Sequence, residues 1–167
     1  MATGKFKFCD GSDVYDEYQK KYNYKKHKKG YIILGPPGIG KTTFVYNQKG
    51  KKDWIDADDI LGSLGVKWHH NPGNMDDLSL NYLRADYMLE QSRLLGFRII
   101  GAIFWKYVPD AIVIPPLNVH KKYVKSRPDL NMDCVIKIRQ LLFSTAKKNK
   151  VKIFNSCQEA VNYLESL

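Results

Sequence analysis

Cysteine is scarce in this sequence, and long apolar runs are absent. The 167 residues include three cysteines, Cys9, Cys134 and Cys157, an odd number whose spacing matches no metal-binding motif. No stretch has the length and apolarity of a transmembrane helix or the pattern of a signal peptide. We therefore expect reduced thiols and a cytoplasmic location, with the nucleus as the other option.

Acidic residues are also in the minority. The formal net charge is +10, from 27 Lys and Arg against 17 Asp and Glu. This balance favours polyanionic partners, although a bound nucleotide would satisfy the same preference. Lysines crowd the segment from Lys20 to Lys29, with Tyr22 and Tyr24 between them. The tract predicts either a nucleic-acid-binding patch, in which the tyrosines stack on bases, or a solvated linker, and the linker is favoured.

Residues 35–43 form the most specific motif, a glycine-rich stretch that fits the pattern G-x-x-x-x-G-K-[ST]. A phosphate-binding loop turns backbone N–H groups inward around a polyphosphate, so it needs glycine where φ is positive or where a Cβ would collide. Lys41 is predicted to reach the β- and γ-phosphates, and the Thr42 hydroxyl to bind Mg²⁺. The residues predicted to contact the nucleotide here are Gly35, Pro36, Pro37, Gly38, Ile39, Gly40, Lys41, Thr42 and Thr43.

The surroundings of this motif match a strand–loop–helix unit. Tyr31–Leu34 is a short apolar run typical of a buried parallel strand, and residues 41–48 predict a helix whose N-terminal N–H groups face the anion. We therefore treat residues 1–30 as a basic extension and residues 31–167 as one nucleotide-binding domain. Further strands are predicted at 54–56, 99–105, 111–114 and 151–154, and further helices at 75–95, 117–126, 132–148 and after Ser156.

Two helix ends and one strand connection can be predicted in detail. Gly96 is predicted to end the long helix as a C′ glycine, and Ser156 with Glu159 predicts a capping box before the last helix. Only about six residues separate Trp105 from Ala111, whereas parallel neighbours normally need about a dozen or more. Because an extended crossover of that length reaches roughly 20 Å, we predict a parallel fourth strand, with an antiparallel pair as the competing option.

Two carboxylates follow the second predicted strand. Asp56 and Asp58 are two positions apart, so on an extended strand end they would point to the same side. Phosphoryl transfer needs one carboxylate near Mg²⁺ and often another that orients or deprotonates the attacking hydroxyl. We predict that Asp56 serves the metal and Asp58 the acceptor. The alternative is that Asp58 or Asp59 only caps a short helix.

The glycine-rich motif together with Asp56 and Asp58 resembles the P-loop kinase superfamily, in its branch of small-molecule, nucleotide and polynucleotide 5′-kinases. The resemblance implies an α/β, three-layer P-loop NTPase fold with a mainly parallel five-stranded sheet flanked by helices. It also implies ATP and Mg²⁺ as cofactors, adenine near Asn155 and Ser156, and a mobile basic lid after the fourth strand that closes over the transferring phosphoryl group. The lid candidates are Lys121, Lys122, Lys125 and Arg127.

The departures from this resemblance leave the acceptor open. The third predicted strand has no carboxylate at its end and no Asp-Gly and Pro-Arg signature typical of nucleoside monophosphate kinases. The missing carboxylate also argues against helicase and motor ATPases, whose acidic residue lies on a later strand. Arg84 either clamps an anionic acceptor or is a surface arginine. His120 either contacts phosphate or belongs to a basic helix face, and we assign no metal to His69 and His70.

These features predict an ATP-dependent kinase that acts on a nucleoside, a nucleotide or a polynucleotide 5′ end. The alternative is a nucleic-acid-associated nucleotide-binding module without kinase activity. The two carboxylates favour the kinase, and the lysine tract favours the module.

Overall fold

The computed structural model describes residues 25–48, 53–58, 75–102 and 106–167, and in the long helix it describes the side chains from residue 83 onward except that of Arg84. The strands in these ranges are β1 (Tyr31–Leu34), β2 (Trp54–Asp56), β3 (Arg98–Gly101), β4 (Ala111–Val113) and β5 (Ile153–Phe154). The helices are α1 (Lys41–Tyr46), α2 (Met75–Leu94), α3 (Leu117–Lys125), α4 (Met132–Asn149) and α5 (Cys157–Glu165). No helix within the described ranges is long and apolar enough to cross a membrane.

The strands form one sheet in the order β2-β3-β1-β4-β5. Each neighbouring pair is parallel, and the central pair of β1 and β3 aligns Leu34 with Gly101. The carboxyl ends of the strands therefore lie at one edge of the sheet, which is where ligands bind in open α/β folds. The α/β fold class and the five-stranded parallel sheet flanked by helices are confirmed.

The two faces of β1 divide the core. Ile32 and Leu34 pack into one apolar cluster with α2 and α4, whereas Tyr31 and Ile33 pack into another with α5. This alternation follows from the period of two along a strand. Phe44 and Val45 of α1 pack against the α5 side. The result is a sheet between two layers of helices, in which all four residues of β1 are buried.

The fourth strand is parallel to β1, so the antiparallel option is wrong. β3 ends at Gly101 and Ala102 no longer belongs to it, whereas the prediction extended the third strand to Trp105. β3 and β4 are also not neighbours, because β1 lies between them. Residues 103–105 of the predicted strand lie outside the described residues. The predicted length of the connection therefore stays a prediction.

Asp110 fixes how this connection meets β1. Its Oδ2 accepts a hydrogen bond from the Ile32 N–H at 2.8 Å, and its own N–H donates to the Ile32 carbonyl at 2.8 Å. Arg93 of α2 donates to the Val108 carbonyl at 2.7 Å and to Asp110 Oδ2 at 3.3 Å. These bonds hold the chain beside β1 immediately before β4 begins.

Both predicted helix ends are present. Gly96 has φ 97°, its N–H donates to the Arg93 carbonyl, and the Phe97 N–H donates to the Ser92 carbonyl, which is the Schellman arrangement. Ser156 caps α5 by accepting from the Glu159 N–H at 3.2 Å. The Glu159 carboxylate accepts from the Asn155 N–H rather than from the N–H of the cap residue.

The described part of the basic extension contacts the domain. The His27 N–H donates to the Gly96 carbonyl at 2.8 Å, and Lys25 pairs with Asp53 at 3.6 Å. Residues 1–24 lie outside the described residues. The boundary placed at residue 30 remains a prediction.

Gly101 allows β2 and β3 to approach closely where both end. A Cβ on Gly101 would lie 2.8 Å from the Cβ of Ala57, closer than the van der Waals limit. We expect Gly101→Ala to lower the free energy of unfolding by ~1–3 kcal/mol, the usual cost of overpacking. Chemical denaturation measures this loss.

A second substitution provides the control for this prediction. Gly101→Ala combined with Ala57→Gly moves the methyl group from one strand end to the other, so the pair should recover most of the lost stability. Equal stability of Gly101→Ala and the unsubstituted protein would contradict the steric argument.

Candidate functional site

The glycine-rich loop follows β1 at the centre of the carboxyl edge. Gly38 and Gly40 have φ of 80° and 84°, in the left-handed region that disfavours a side chain. A Cβ on Gly35 would lie 2.2 Å from Cδ1 of Ile39. Gly40 is the N-cap of α1, and no side chain caps that helix. The loop therefore has the backbone conformation for which the motif requires glycine.

Lys41 folds back into this loop. Its Nζ donates to the carbonyl oxygens of Gly35 and Pro36, both at 2.8 Å. Burial lowers the pKa of Lys41 to about 8, and the nearby Arg127 guanidinium acts in the same direction, whereas Cys157, Asp58 and Asp56 oppose the shift. The ammonium thus lies among weak acceptors in a site where a phosphate would be a stronger partner.

Thr42 and Asp56 meet across the end of β3. Thr42 Oγ1 donates to Asp56 Oδ2 at 2.8 Å, and the buried Asp56 carboxylate also accepts from the Asp58 N–H at 3.0 Å through Oδ1. Hydroxyl and carboxylate oxygens are the ligands that Mg²⁺ prefers, and Mg²⁺ usually takes one or two protein ligands beside phosphates and water. The donor set therefore fits Mg²⁺, although the described residues contain no group of three or more candidate metal ligands.

Asp58 differs from its predicted geometry. β2 ends at Asp56, and Ala57 and Asp58 have helical backbone, so Asp56 and Asp58 do not share one side of an extended strand as the spacing suggested. Asp56 accepts from the N–H two residues on, as an N-cap does, so within the described residues this capping contact comes from Asp56 and not from Asp58. Asp59 lies outside the described residues. The Asp58 side chain is exposed and near enough to Lys41 to raise its pKa.

The segment after β4 packs beside Gly38 of the glycine-rich loop. A Cβ on Gly38 would lie 3.1 Å from both Val124 and Leu130. Arg127 lies between these residues in the chain, pairs with Asp129 at 2.7 Å and is near enough to Lys41 to influence its pKa. The structure thus brings Arg127 to the loop. The predicted lid lysines are exposed on α3: Lys121, Lys122 and Lys125.

His120 is buried, not part of the basic helix face. Its Nε2 lies 2.7 Å from the Pro37 carbonyl oxygen, and its Nδ1 lies 2.9 Å from Nη1 of Arg139. The sequence suggested phosphate contact or a basic helix face for His120, and this buried arrangement matches neither. The i, i+4 spacing of His120 and Val124 is the signal that could have placed both on the buried face of α3.

The remaining predicted site residues are placed less fully. Asn155 follows β5 at the carboxyl edge. Arg84 lies within α2, but its side chain is outside the described residues, and so are His69 and His70. Sequence reasoning missed Cys157, the first residue of α5, which is buried and near enough to Lys41 to affect its pKa; burial raises the pKa of the Cys157 thiol.

The lowered pKa of Lys41 predicts a basic limit to polyphosphate binding. Because the phosphates attract the protonated ammonium, the contribution of Lys41 to ATP affinity should be constant up to about pH 7 and fall above about pH 8, by up to roughly tenfold per pH unit. Calorimetric titration with ATP across this range measures the change.

Lys41→Arg is the matched control, since a guanidinium keeps its charge throughout the range. Its affinity is expected to be independent of pH over the same interval, whatever its absolute value. A slope that persists in Lys41→Arg would assign the titration to another group.

Comparison with known proteins finds a partial sequence similarity. No protein-family model matches the chain. A stretch of 61 residues is 34% identical to an AAA-ATPase of Arabidopsis thaliana that is described as mitochondrial, and it covers 36% of this chain and 12% of that protein. The five-stranded parallel sheet is consistent with a P-loop NTPase fold, and the match to an ATPase extends over only part of the chain.

Proposed function

We propose that this chain is an ATP-dependent phosphotransferase that moves the γ-phosphate to a nucleoside, a nucleotide or a polynucleotide 5′ end. The observation that supports this most directly is the hydrogen bond from Thr42 Oγ1 to Asp56 Oδ2 at 2.8 Å beside the Lys41 loop. The backbone N–H of Asp58 donates to Asp56 Oδ1 at 3.0 Å, so the residue that provides the proposed second carboxylate adjoins this magnesium-type donor pair. Phosphoryl transfer needs a carboxylate near Mg²⁺ and often uses a second one to orient the attacking hydroxyl.

The loop and Lys41 hold the phosphates in this mechanism. Lys41 Nζ has three donors, of which two reach the Gly35 and Pro36 carbonyls. Phosphate oxygens replace these acceptors because charge-assisted hydrogen bonds are stronger. Thr42 and Asp56 would hold Mg²⁺, which neutralises charge on the β- and γ-phosphate oxygens.

Asp58 and Arg127 act on the transferring group. Asp58 is exposed, so its carboxylate accepts a proton from, or orients, a hydroxyl that enters from solvent. Arg127 adds positive charge near Lys41, where negative charge develops during transfer. Its partner Asp129 is equally exposed, with side-chain exposures of 53% and 62%, so exchanging that pair for phosphate costs little.

The second candidate function is ATP hydrolysis or ATP binding without a phosphate acceptor. The partial match to an AAA-ATPase favours it. Both candidates use Lys41, Thr42 and Asp56 in the same way. They differ in whether a hydroxyl or a water takes the position beside Asp58.

A nucleic-acid partner for the Lys20–Lys29 tract is a separate proposal. Within its described part, Lys26 lies over the Phe97 ring at 5.6 Å and Lys29 over the Tyr31 ring at 5.2 Å. These lysines precede β1, so they lie at the amino edge of the sheet, opposite the glycine-rich loop. Nucleic acid bound there would tether a substrate rather than contact the reacting phosphate.

Substitution of the two aspartates separates the candidate functions. We expect Asp58→Asn to leave ATP–Mg²⁺ affinity almost unchanged and to slow transfer to the true acceptor by roughly 10²-fold or more, because only the attacking hydroxyl uses that carboxylate. Asp56→Asn should weaken magnesium-dependent ATP binding itself. The measurements are ATP affinity and ATP consumption against nucleosides, nucleotides and 5′-hydroxyl oligonucleotides.

Three outcomes are informative. Transfer at the original rate in Asp58→Asn would contradict the role of Asp58. ATP consumption that no acceptor stimulates would favour the hydrolase. Unchanged magnesium dependence in Asp56→Asn would remove the metal assignment.

The lysine tract can be tested by the salt dependence of binding. If it binds single-stranded nucleic acid, log affinity should fall with log salt by about 0.7 per phosphate contact, and replacing Lys25, Lys26, Lys28 and Lys29 with glutamine should reduce that slope. Replacing Lys147, Lys148, Lys150 and Lys152 with glutamine changes the net charge equally and is the control. Fluorescence anisotropy with a labelled oligonucleotide provides the measurement; equal slopes in both variants would support the linker.

A further inference from the structure

His120 is a fully buried polar residue, 1% exposed, that the proposed chemistry does not use. Its ring lies between two partners, the Pro37 carbonyl oxygen at 2.7 Å from Nε2 and the Arg139 guanidinium at 2.9 Å from Nδ1. A guanidinium only donates hydrogen bonds. Nδ1 must therefore accept, the proton resides on Nε2, and Nε2 donates to Pro37. The partners thus fix both the tautomer and the neutral charge of the ring.

Arg139 links His120 to α4 and to the segment just before α3. It is 8% exposed, and its Nη1 also donates to the Pro115 carbonyl at 2.8 Å, just before α3. Its guanidinium lies over the Phe143 ring at 5.8 Å. A continuous set of hydrogen bonds therefore runs from α4 through His120 of α3 to the glycine-rich loop.

The contact between His120 and the Pro37 carbonyl fixes the orientation of the peptide bond between Pro37 and Gly38. The Pro37 carbonyl and the Gly38 N–H belong to the same planar peptide, which is trans because the described chain has no cis bonds. In a trans peptide the C=O and N–H point in opposite directions. Holding the oxygen towards α3 therefore turns the Gly38 N–H away from α3. A flipped peptide would exchange that donor for an acceptor, which repels an anion.

We propose that His120 is a positioning residue that prevents this peptide flip and so keeps the glycine-rich loop in its anion-binding conformation. The inference rests on the proposed binding of nucleotide phosphates by the loop. Gly38 is the residue with φ 80° whose freedom makes a flip sterically accessible. Val124 and Leu130 also contact this side of the loop, but apolar contacts do not select the direction of a carbonyl.

Protonation of His120 would break the arrangement. The groups that face the ring are the Pro37 carbonyl, the Arg139 guanidinium and, electrostatically, the Lys41 ammonium. Burial lowers the pKa of His120, the two cations lower it further, and the Pro37 carbonyl opposes them. Since the folded-state pKa lies below the ordinary value, the anchor is fully present above about pH 6.5 and is lost as the pH falls through the lowered pKa.

Two substitutions separate hydrogen bonding from packing. His120→Leu fills the space but provides neither bond. His120→Gln keeps an N–H donor for Pro37 and an oxygen acceptor for Arg139, and it does not titrate. At about pH 7.5 we expect His120→Leu to weaken ATP binding by about tenfold, as for one lost hydrogen bond, and His120→Gln to remain within about threefold. His120→Gln should also lose the part of the acid-side fall in affinity that His120 causes.

A stability control excludes a general packing effect. Leu164→Ala removes a buried side chain from the cluster on the α5 side of the sheet and should lower the melting temperature without changing ATP affinity. If ATP affinity falls in step with melting temperature across Leu164→Ala, His120→Leu and His120→Gln, His120 only stabilises the fold and the proposal is overturned.

Amide hydrogen exchange tests the anchor without nucleotide. Exchange of the Phe44 N–H, which donates to the Gly40 carbonyl at the end of the loop, should accelerate in His120→Leu and remain as in the unsubstituted protein in His120→Gln. Unchanged exchange in His120→Leu overturns the anchor. If the unsubstituted protein binds no ATP, the proposed function fails, and the exchange result still decides whether His120 holds the loop.

Discussion

The hydrogen bond between Thr42 and Asp56 is the contact on which the site depends, because it joins elements that do not adjoin in the sheet. Thr42 follows β1 and Asp56 ends β2, while β3 lies between those strands. Gly101 ends β3 between them, and Ala57, which follows Asp56, lies where a Cβ on that glycine would collide. A glycine outside the phosphate-binding motif therefore permits the close approach of the strand end that carries Asp56.

Carbonyl groups of the glycine-rich loop accept hydrogen bonds from two different partners, Lys41 and His120. On the inner side, the Gly35 and Pro36 carbonyls accept from the Lys41 ammonium, which a phosphate can attract away. On the outer side, the Pro37 carbonyl accepts from a neutral buried ring, which no anion displaces. The first contact is replaceable and the second is fixed. If the loop binds a polyphosphate as proposed, it needs the first contact to exchange partners and the second to keep its shape.

The sequence predicted the elements whose ends depend on local chemistry. Gly96 ends α2 because only a residue tolerant of positive φ fits there, and Ser156 begins α5 through a local side-chain bond. The predicted extension of β3 beyond Gly101 falls mostly on residues outside the described ones, and an apolar run alone does not say where strand pairing stops. The burial of His120 was missed, because its partners at positions 37 and 139 are distant in sequence. Strand order and the Thr42–Asp56 contact depend on similarly long-range pairing.

The charged groups around Lys41 would serve both candidate functions, phosphoryl transfer and ATP hydrolysis. Among the described residues near the ammonium, Asp56 already accepts from Thr42 and from the Asp58 N–H. The proposed role of Asp58, which is exposed and near enough to Lys41 to raise its pKa, is the same for both nucleophiles, a hydroxyl or a water. Transfer and hydrolysis would use the same loop, the same metal ligands and the same carboxylate. What distinguishes them physically is only whether an acceptor excludes water from the position beside Asp58.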